Sequence, residues 1–321
     1  MTTKPKILIT GAFGYLGGRL SKYLHDKGFK LIICSRKKKL PPVWCLRAQV
    51  AKIEWEDSEK LINIFSEVDV VIHAAGMNAQ DCRQSPDRAI DFNGNMTSNI
   101  VKISKSVGVK KFIYLSSSNV YKSPMEDYID EDTATLNDDP YSTSKLAGEK
   151  NLLKEINARF KGNILRISNT IGPPNDKSSN CWSLLVNDLS KQVIKNNSII
   201  IRGQKNSQRD FIPISSICPI VTKIIEEDFS FAKIINIGSG ISLEVIEIAK
   251  MIQKIHHNNT GSTPSIKVIE QQSSNILKKL KYQSKYRKYF KSISLNEINI
   301  ELESIYNFCQ KNFRNLSKLN D

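Results

Sequence analysis

The 321-residue chain has only four histidines, no C-x-x-C pair and no apolar run approaching the roughly 20 residues that cross a bilayer. No cysteine stands at zinc-ligand spacing from a histidine, so a metal centre is not expected. The adjacent pair His256-His257 falls on a helical stretch where neighbouring side chains diverge, and reads as solvated. The N-terminus has no charged, apolar and small-residue succession of a secretory leader. These absences predict a cytoplasmic protein without a membrane span. Its six cysteines, Cys34, Cys45, Cys82, Cys181, Cys218 and Cys309, then serve as small apolar fillers. Acidic residues are also scarce: 32 Asp+Glu against 47 Lys+Arg leave a formal net charge of +15. Such an excess permits an anionic partner. Part of it lies in residues 271–291, where seven Lys and Arg alternate with Tyr282, Tyr286, Tyr289 and Phe290 and no acid occurs. That segment reads as a basic solvated face with its aromatics turned inward, and RNA binding is disfavoured.

Forty per cent hydrophobic and 25% charged residues give a globular balance, enough for one large domain or two intimate ones. Short β-branched runs at Lys6–Thr10, Lys30–Ser35, Val68–Ala74 and Lys111–Ser116 are each separated by a stretch long enough for a helix. One such helix is predicted over Gly17–Lys27. Repeated strand–helix–strand order predicts a doubly wound parallel sheet, the Rossmann arrangement of the α/β class. The pattern breaks after about Ile167, with further strands at Ser198–Arg202 and Lys233–Ile237. We therefore expect a dinucleotide-binding domain over 1–168, with 209–238 returning to it. A smaller α/β substrate-binding lobe is expected over 169–208 and 239–321.

Directly after the first strand, Gly11, Gly14 and Gly17 form G-x-x-G-x-x-G at the start of a helix. Glycine allows the tight turn and the close approach of backbone to a pyrophosphate, and the helix N-terminus offers N–H groups and positive dipole. The second strand ends in Cys34-Ser35-Arg36-Lys37-Lys38-Lys39. An acid at that point would bind a ribose 2′-hydroxyl, whereas Arg36 can pair with a 2′-phosphate. NADP(H) is accordingly favoured over NAD(H). Further along, Tyr141 and Lys145 share a helical face at i, i+4. A phenol is a poor base near neutrality, but an adjacent ammonium and an oxidised nicotinamide favour the phenolate. The tyrosine could then exchange a proton with a substrate hydroxyl as hydride moves.

Taken in order, Thr10–Gly17, His73-Ala74-Ala75-Gly76, Leu115–Tyr121, Pro140–Lys145, Leu165–Asn169, Gly172-Pro173, Arg209–Ile212 and Asn236–Gly240 resemble the extended short-chain dehydrogenase/reductases, the NAD(P)-dependent nucleotide-sugar epimerase/dehydratase family. The resemblance covers about residues 5 to 245. It implies a catalytic set of Ser117, Tyr141 and Lys145, with Ser117 found by counting four positions back from Tyr121. It further implies cofactor contacts from Gly11, Phe13, Gly14, Tyr15, Leu16, Gly17, Arg36, His73, Ala74, Ala75, Tyr141 and Lys145. Ser117, Asn169 and Arg209 would bind a nucleotide diphosphate sugar. Two helical stretches, Asn95–Val107 and Tyr141–Ile156, resemble the pair that forms the family's homodimer.

Three departures qualify the match. Ser118 and Asn119 occupy the positions where 4,6-dehydratases carry an Asp-Glu pair, so dehydration is disfavoured. Lys122 replaces the usual Gly after Val120-Tyr121. No Arg is found around Gln271-Gln272. The expected activity is therefore hydride transfer at C4 of the sugar, by epimerisation or reduction. The alternative is a catalytically reduced NADP- or RNA-binding member of the same fold.

Overall fold

The computed structural model describes residues 4–121, 128–135, 139–269 and 280–314. The chain divides into two compact units. The first spans Met1–Ser123, Glu131–Ile167 and Cys218–Ile237; the second spans Pro124–Asp130, Ser168–Ile217 and Gly238–Asp321. Residues 209–217 thus group with the second unit, where the sequence reading set 209–238 with the first.

Along the chain come β1 (Ile7–Thr10), α1 (Tyr15–Asp26), β2 (Leu31–Ser35), β3 (Gln49–Lys52), α2 (Ser58–Phe65) and β4 (Val70–His73). The short helices α3 (Ala79–Gln84) and α4 (Pro86–Ala89) lead through a π-helical segment, Ile90–Met96, into α5 (Thr97–Ser106) and β5 (Lys111–Ser117). Then follow β6 (Tyr128–Ile129), α6 (Pro140–Glu155), β7 (Lys161–Ile167), β8 (Asn169–Ile171), α7 (Leu185–Asn196), β9 (Ser198–Arg202), β10 (Gln208–Pro213) and α8 (Ile214–Glu226). The chain continues through β11 (Ile234–Ile237), β12 (Ser242–Glu244), α9 (Val245–Thr260), β13 (Ser265–Ile269), β14 (Lys281–Tyr282) and α10 (Leu295–Phe313).

In the first unit seven parallel strands run in the order β11-β7-β5-β4-β1-β2-β3. This is the predicted doubly wound sheet. Strands β1, β2 and β4 are buried throughout, as continuous apolar runs covered on both faces must be. Leu8, Ile32, Val71, Phe112 and Ile164 form its core with Phe65, Ile100 and Leu152 from the helices. Chain order reverses between β1 and β4, and ligands of such sheets bind beyond the strand C-termini at that reversal. Thr10, His73 and Ser117 end β1, β4 and β5. Among these elements β3 was missed from sequence, because Gln49–Lys52 is a short edge strand, only its two central residues half-buried, with few apolar side chains.

The second unit holds a three-stranded sheet, β12-β10-β8, and paired strands β9 with β13 and β6 with β14. Phe211, Ile199, Leu189, Val193, Ile248, Ile252, Leu302 and Ile305 lie in its core. His256 departs from the expected solvated pair: it is buried, with Nδ1 3.1 Å from the Tyr306 hydroxyl, because it falls on the inward face of α9. His257, one position on, is exposed. Of the basic segment, residues 271–279 lie outside the described residues. In the rest Tyr282 is buried, Tyr286 and Phe290 are half-buried, and Tyr289 is exposed beneath the Lys288 ammonium.

Candidate active site

The glycine loop packs against the β4 turn. Gly11 has φ +65°, and a Cβ there would lie 2.6 Å from the Ala75 amide nitrogen and 2.7 Å from the Ala74 carbonyl carbon. A Cβ at Gly17 would collide with the Gly11 carbonyl oxygen. Only glycine lets these backbones approach so closely. Helix α1 then starts at Gly14 with no side-chain cap and no acid in its first turn. That end keeps its positive character for an anion, so these residues fit a dinucleotide pyrophosphate. Phe13, Tyr15 and Leu16 are half-buried beside it. Arg36 is exposed immediately after β2.

Both ring nitrogens of His73, expected among the cofactor contacts, are hydrogen-bonded within the protein. Thr97 Oγ1 donates to the Asn93 carbonyl (2.8 Å), so it accepts from His73 Nε2–H (3.2 Å). His73 Nδ1 then accepts from Thr10 Oγ1 (2.7 Å), which in turn accepts from the Ala75 amide (3.2 Å). Burial pushes the imidazole down to about 3, so it stays neutral. These bonds tie the end of β1 to the Ala74-Ala75 turn.

Helix α6 carries Tyr141 and Lys145. Asp139 caps it by accepting from the Tyr141 and Ser142 amides at 3.1 and 3.4 Å, with Pro140 at the first helical position. This Asp-Pro signal was legible in the sequence and was overlooked. The Ser117 side chain lies close to the Tyr141 phenol. Burial nevertheless raises its phenol to about 12, the Ser117 contact opposing the rise. The lowering expected from sequence is therefore absent in the chain alone: desolvation of the phenolate outweighs what its neighbours supply. Lys145 is buried, with Nζ donating to the Leu115 carbonyl (3.0 Å) and lying 5.9 Å from the Tyr141 ring centroid. Burial brings its ammonium down to about 8. Of the serines ending β5, Ser116 donates to Glu149 (2.5 Å) and Ser118 is buried, while Ser117 is half-exposed beside Tyr141.

Two sets of supporting residues escaped the sequence reading. Asn93 accepts from the Met77 amide (2.8 Å) and donates to Ser144 Oγ (2.9 Å), holding the turn after Gly76 to α6 one residue before Lys145. Nothing in its local sequence marks that role. Glu149 and Arg166 form a buried pair, with Nη2 to Oε2 at 2.7 Å and side chains 3% and 5% exposed. Arg166 also donates to the Tyr121 hydroxyl (3.0 Å), which donates to Asn236 Oδ1 (2.7 Å). An arginine inside the apolar run of β7 was the available signal.

In the second unit Asn169 donates to the Asp210 carbonyl across β8 and β10 (3.0 Å). Arg209 is exposed and makes no ion pair among the described residues. Its neighbour Asp210 points the opposite way and is buried, accepting from Ser168 Oγ, Ser239 and Gly240 at 2.5, 2.9 and 2.7 Å. Lys122 and Gln271-Gln272 lie outside the described residues. None of the six cysteines is in a disulfide, and all six are buried. Among the described residues, no cluster of His, Cys, Asp or Glu could hold a metal, and no helix is long and apolar enough to cross a membrane.

Residues 7–238 match the model of the NAD dependent epimerase/dehydratase family. The chain belongs to that family. It is an NAD(P)-dependent enzyme of the extended short-chain dehydrogenase/reductase type. A putative UDP-glucose 4-epimerase of Methanocaldococcus jannaschii is 28% identical over 77% of this chain and 81% of its own length. A mouse dTDP-D-glucose 4,6-dehydratase is 27% identical over 80% of this chain and 75% of its own. Among solved structures, the Bacillus cereus UDP-glucuronic acid 4-epimerase with UDP-glucuronic acid and NAD superposes with a TM-score of 0.77. It is 21% identical and covers 95% of this chain and 99% of its own, which shows the shared fold.

Proposed function

We propose that this family enzyme transfers hydride at C4 of a nucleotide diphosphate sugar, as an epimerase or ketoreductase and not as a 4,6-dehydratase. The observation that carries the reading is the buried Lys145, its Nζ 5.9 Å from the Tyr141 ring centroid one turn along the same helix, with Ser117 at the end of β5 close to the phenol. When bound, the nicotinamide takes up or returns the hydride. Ser117 would hold the reacting sugar oxygen, and Tyr141 Oη would give or take its proton. Lys145 would bind the nicotinamide ribose and favour the phenolate. Ser118 and Asn119 carry no carboxyl for water elimination, which supports exclusion of the dehydratase outcome.

The Gly11–Gly17 loop would receive the pyrophosphate. Arg36, exposed where an acid would select NAD, supports preference for NADP(H). Binding should favour NADP(H) by about tenfold or more, the worth of one charge-assisted contact. Asn169 through its amide and Arg209 through its guanidinium would meet the substrate diphosphate. The functional protein would be a homodimer.

A panel of UDP-, dTDP- and GDP-sugars, assayed with each cofactor and with products identified by NMR, tests this. Inversion at C4 without net cofactor consumption, or stoichiometric NADPH oxidation with a 4-keto sugar, is expected. A 4-keto-6-deoxy product would defeat the reading, and equal or tighter NAD(H) binding would defeat the cofactor preference.

A further inference from the structure

The three most exposed large apolar side chains among the described residues sit together: Leu40 and Val43 at 86% and Leu46 at 64%, with every other at 56% or below. Directly before them stand Arg36, Lys37, Lys38 and Lys39, all exposed and none ion-paired among the described residues. No Asp or Glu occurs from Arg36 to Ile53.

The backbone that presents these side chains is tied down. Cys45 is buried, its amide donating to the Pro42 carbonyl (2.8 Å). Trp44 packs edge-on against Phe13, with centroids 6.2 Å apart. Arg47 donates to the His25 carbonyl (3.0 Å). Pro41-Pro42 limits the remaining backbone freedom. The aliphatic groups are therefore held out in water, beside uncompensated positive charge, by a segment with little ordering left to lose.

Aliphatic side chains flanked by cations match the boundary between headgroups and acyl chains of an anionic bilayer. Nucleic acid fits less well. Bases stack on open aromatic faces, whereas the segment's one aromatic ring, Trp44, is packed on Phe13. We propose that residues 37–47 seat the enzyme on an anionic phospholipid surface. Leu40, Val43 and Leu46 enter the boundary layer, and Lys37 and Lys38 meet lipid phosphates.

Flotation of the full chain with phosphatidylcholine vesicles, with and without about 30 mol% phosphatidylglycerol, tests this at low and at about 0.15 M salt. NADPH is present in parallel samples. Binding should be about tenfold or more stronger to the anionic vesicles and should weaken with salt. Two variants, Leu40→Ser/Val43→Ser/Leu46→Ser and Lys37→Gln/Lys38→Gln, should each lose about tenfold or more in partitioning. Both should keep parental turnover, since these five positions lie outside the residues assigned to cofactor or substrate. The proposal is overturned by absent binding to anionic vesicles, by binding that the serine variant retains, or by complete displacement with NADPH. It is equally overturned if the serine variant loses only self-association in light scattering, which would make a second copy the occupant. Binding of labelled oligouridine in place of vesicles would assign the segment to nucleic acid and reject the lipid.

Discussion

Tyr141 gives the sharpest test at the scale of a single residue. Tyr141→Phe keeps the ring and its packing but removes the titratable oxygen. If Tyr141 is the general acid/base, turnover should fall by about 10²–10⁴ while NADP(H) affinity holds. The limb of the pH–rate profile set by Tyr141 should vanish with it. That limb should also lie well below the value of about 12 held by the chain alone, because the oxidised nicotinamide adds positive charge near the phenol. Parental turnover in the Phe variant would transfer the chemistry to another group. Lys145→Met separates function from stability. The Lys145 ammonium sits near 8 in the folded chain against an ordinary 10.5, so between these values the unfolded chain holds more protons and stability rises with pH. Below that window the buried charge costs stability. At pH near 7 the Met variant should thus melt at or above the parental Tm, the difference closing toward pH 10.5, while cofactor affinity and turnover both drop. A variant that melts well below the parent would show that the Leu115 carbonyl contact outweighs desolvation.

The Glu149–Arg166 pair acts at the scale of elements. It joins α6 to β7, while Ser116 on β5 donates to the same carboxylate. Ser116 faces Arg166 in the strand register, and Ser117, the next residue, turns to the other face beside Tyr141. The pair therefore fixes the strand end and the helix that bring Ser117 and Tyr141 together. Glu149→Gln leaves a buried guanidinium without its counter-charge, which typically costs about 3–5 kcal/mol. Urea unfolding should detect the loss. Turnover should fall more than substrate affinity if the strand end shifts. Unchanged stability would mean that the pair is dispensable.

For the whole molecule, the assembly is the property to measure. Helices α5 and α6 pack on one another in the first unit, in the stretches expected to form a dimer. Two such pairs would bury their remaining apolar side chains as a four-helix bundle. Light scattering at micromolar concentration should give about twice the 36.3 kDa chain mass. A monomer would reject the arrangement.

Period and punctuation alone determined the parallel sheet and the glycine loop. Continuous β-branched runs can be buried only in a doubly covered sheet, and Gly11 and Gly17 stand where any Cβ would strike backbone. Helical spacing likewise put Tyr141 and Lys145 on one face. The tertiary structure decided what depends on burial and on partners distant in sequence. His73 stands in a motif, yet its ring is consumed by Thr10 and Thr97 from two other elements. Asn93, Glu149 and Arg166 acquire their roles only when α6 closes on the sheet, because a hydrogen-bond partner some 17 to 51 residues away leaves no periodic trace. The rise of the Tyr141 phenol follows the same logic. The residue is written in the sequence, but the water it loses is set by the packing around it.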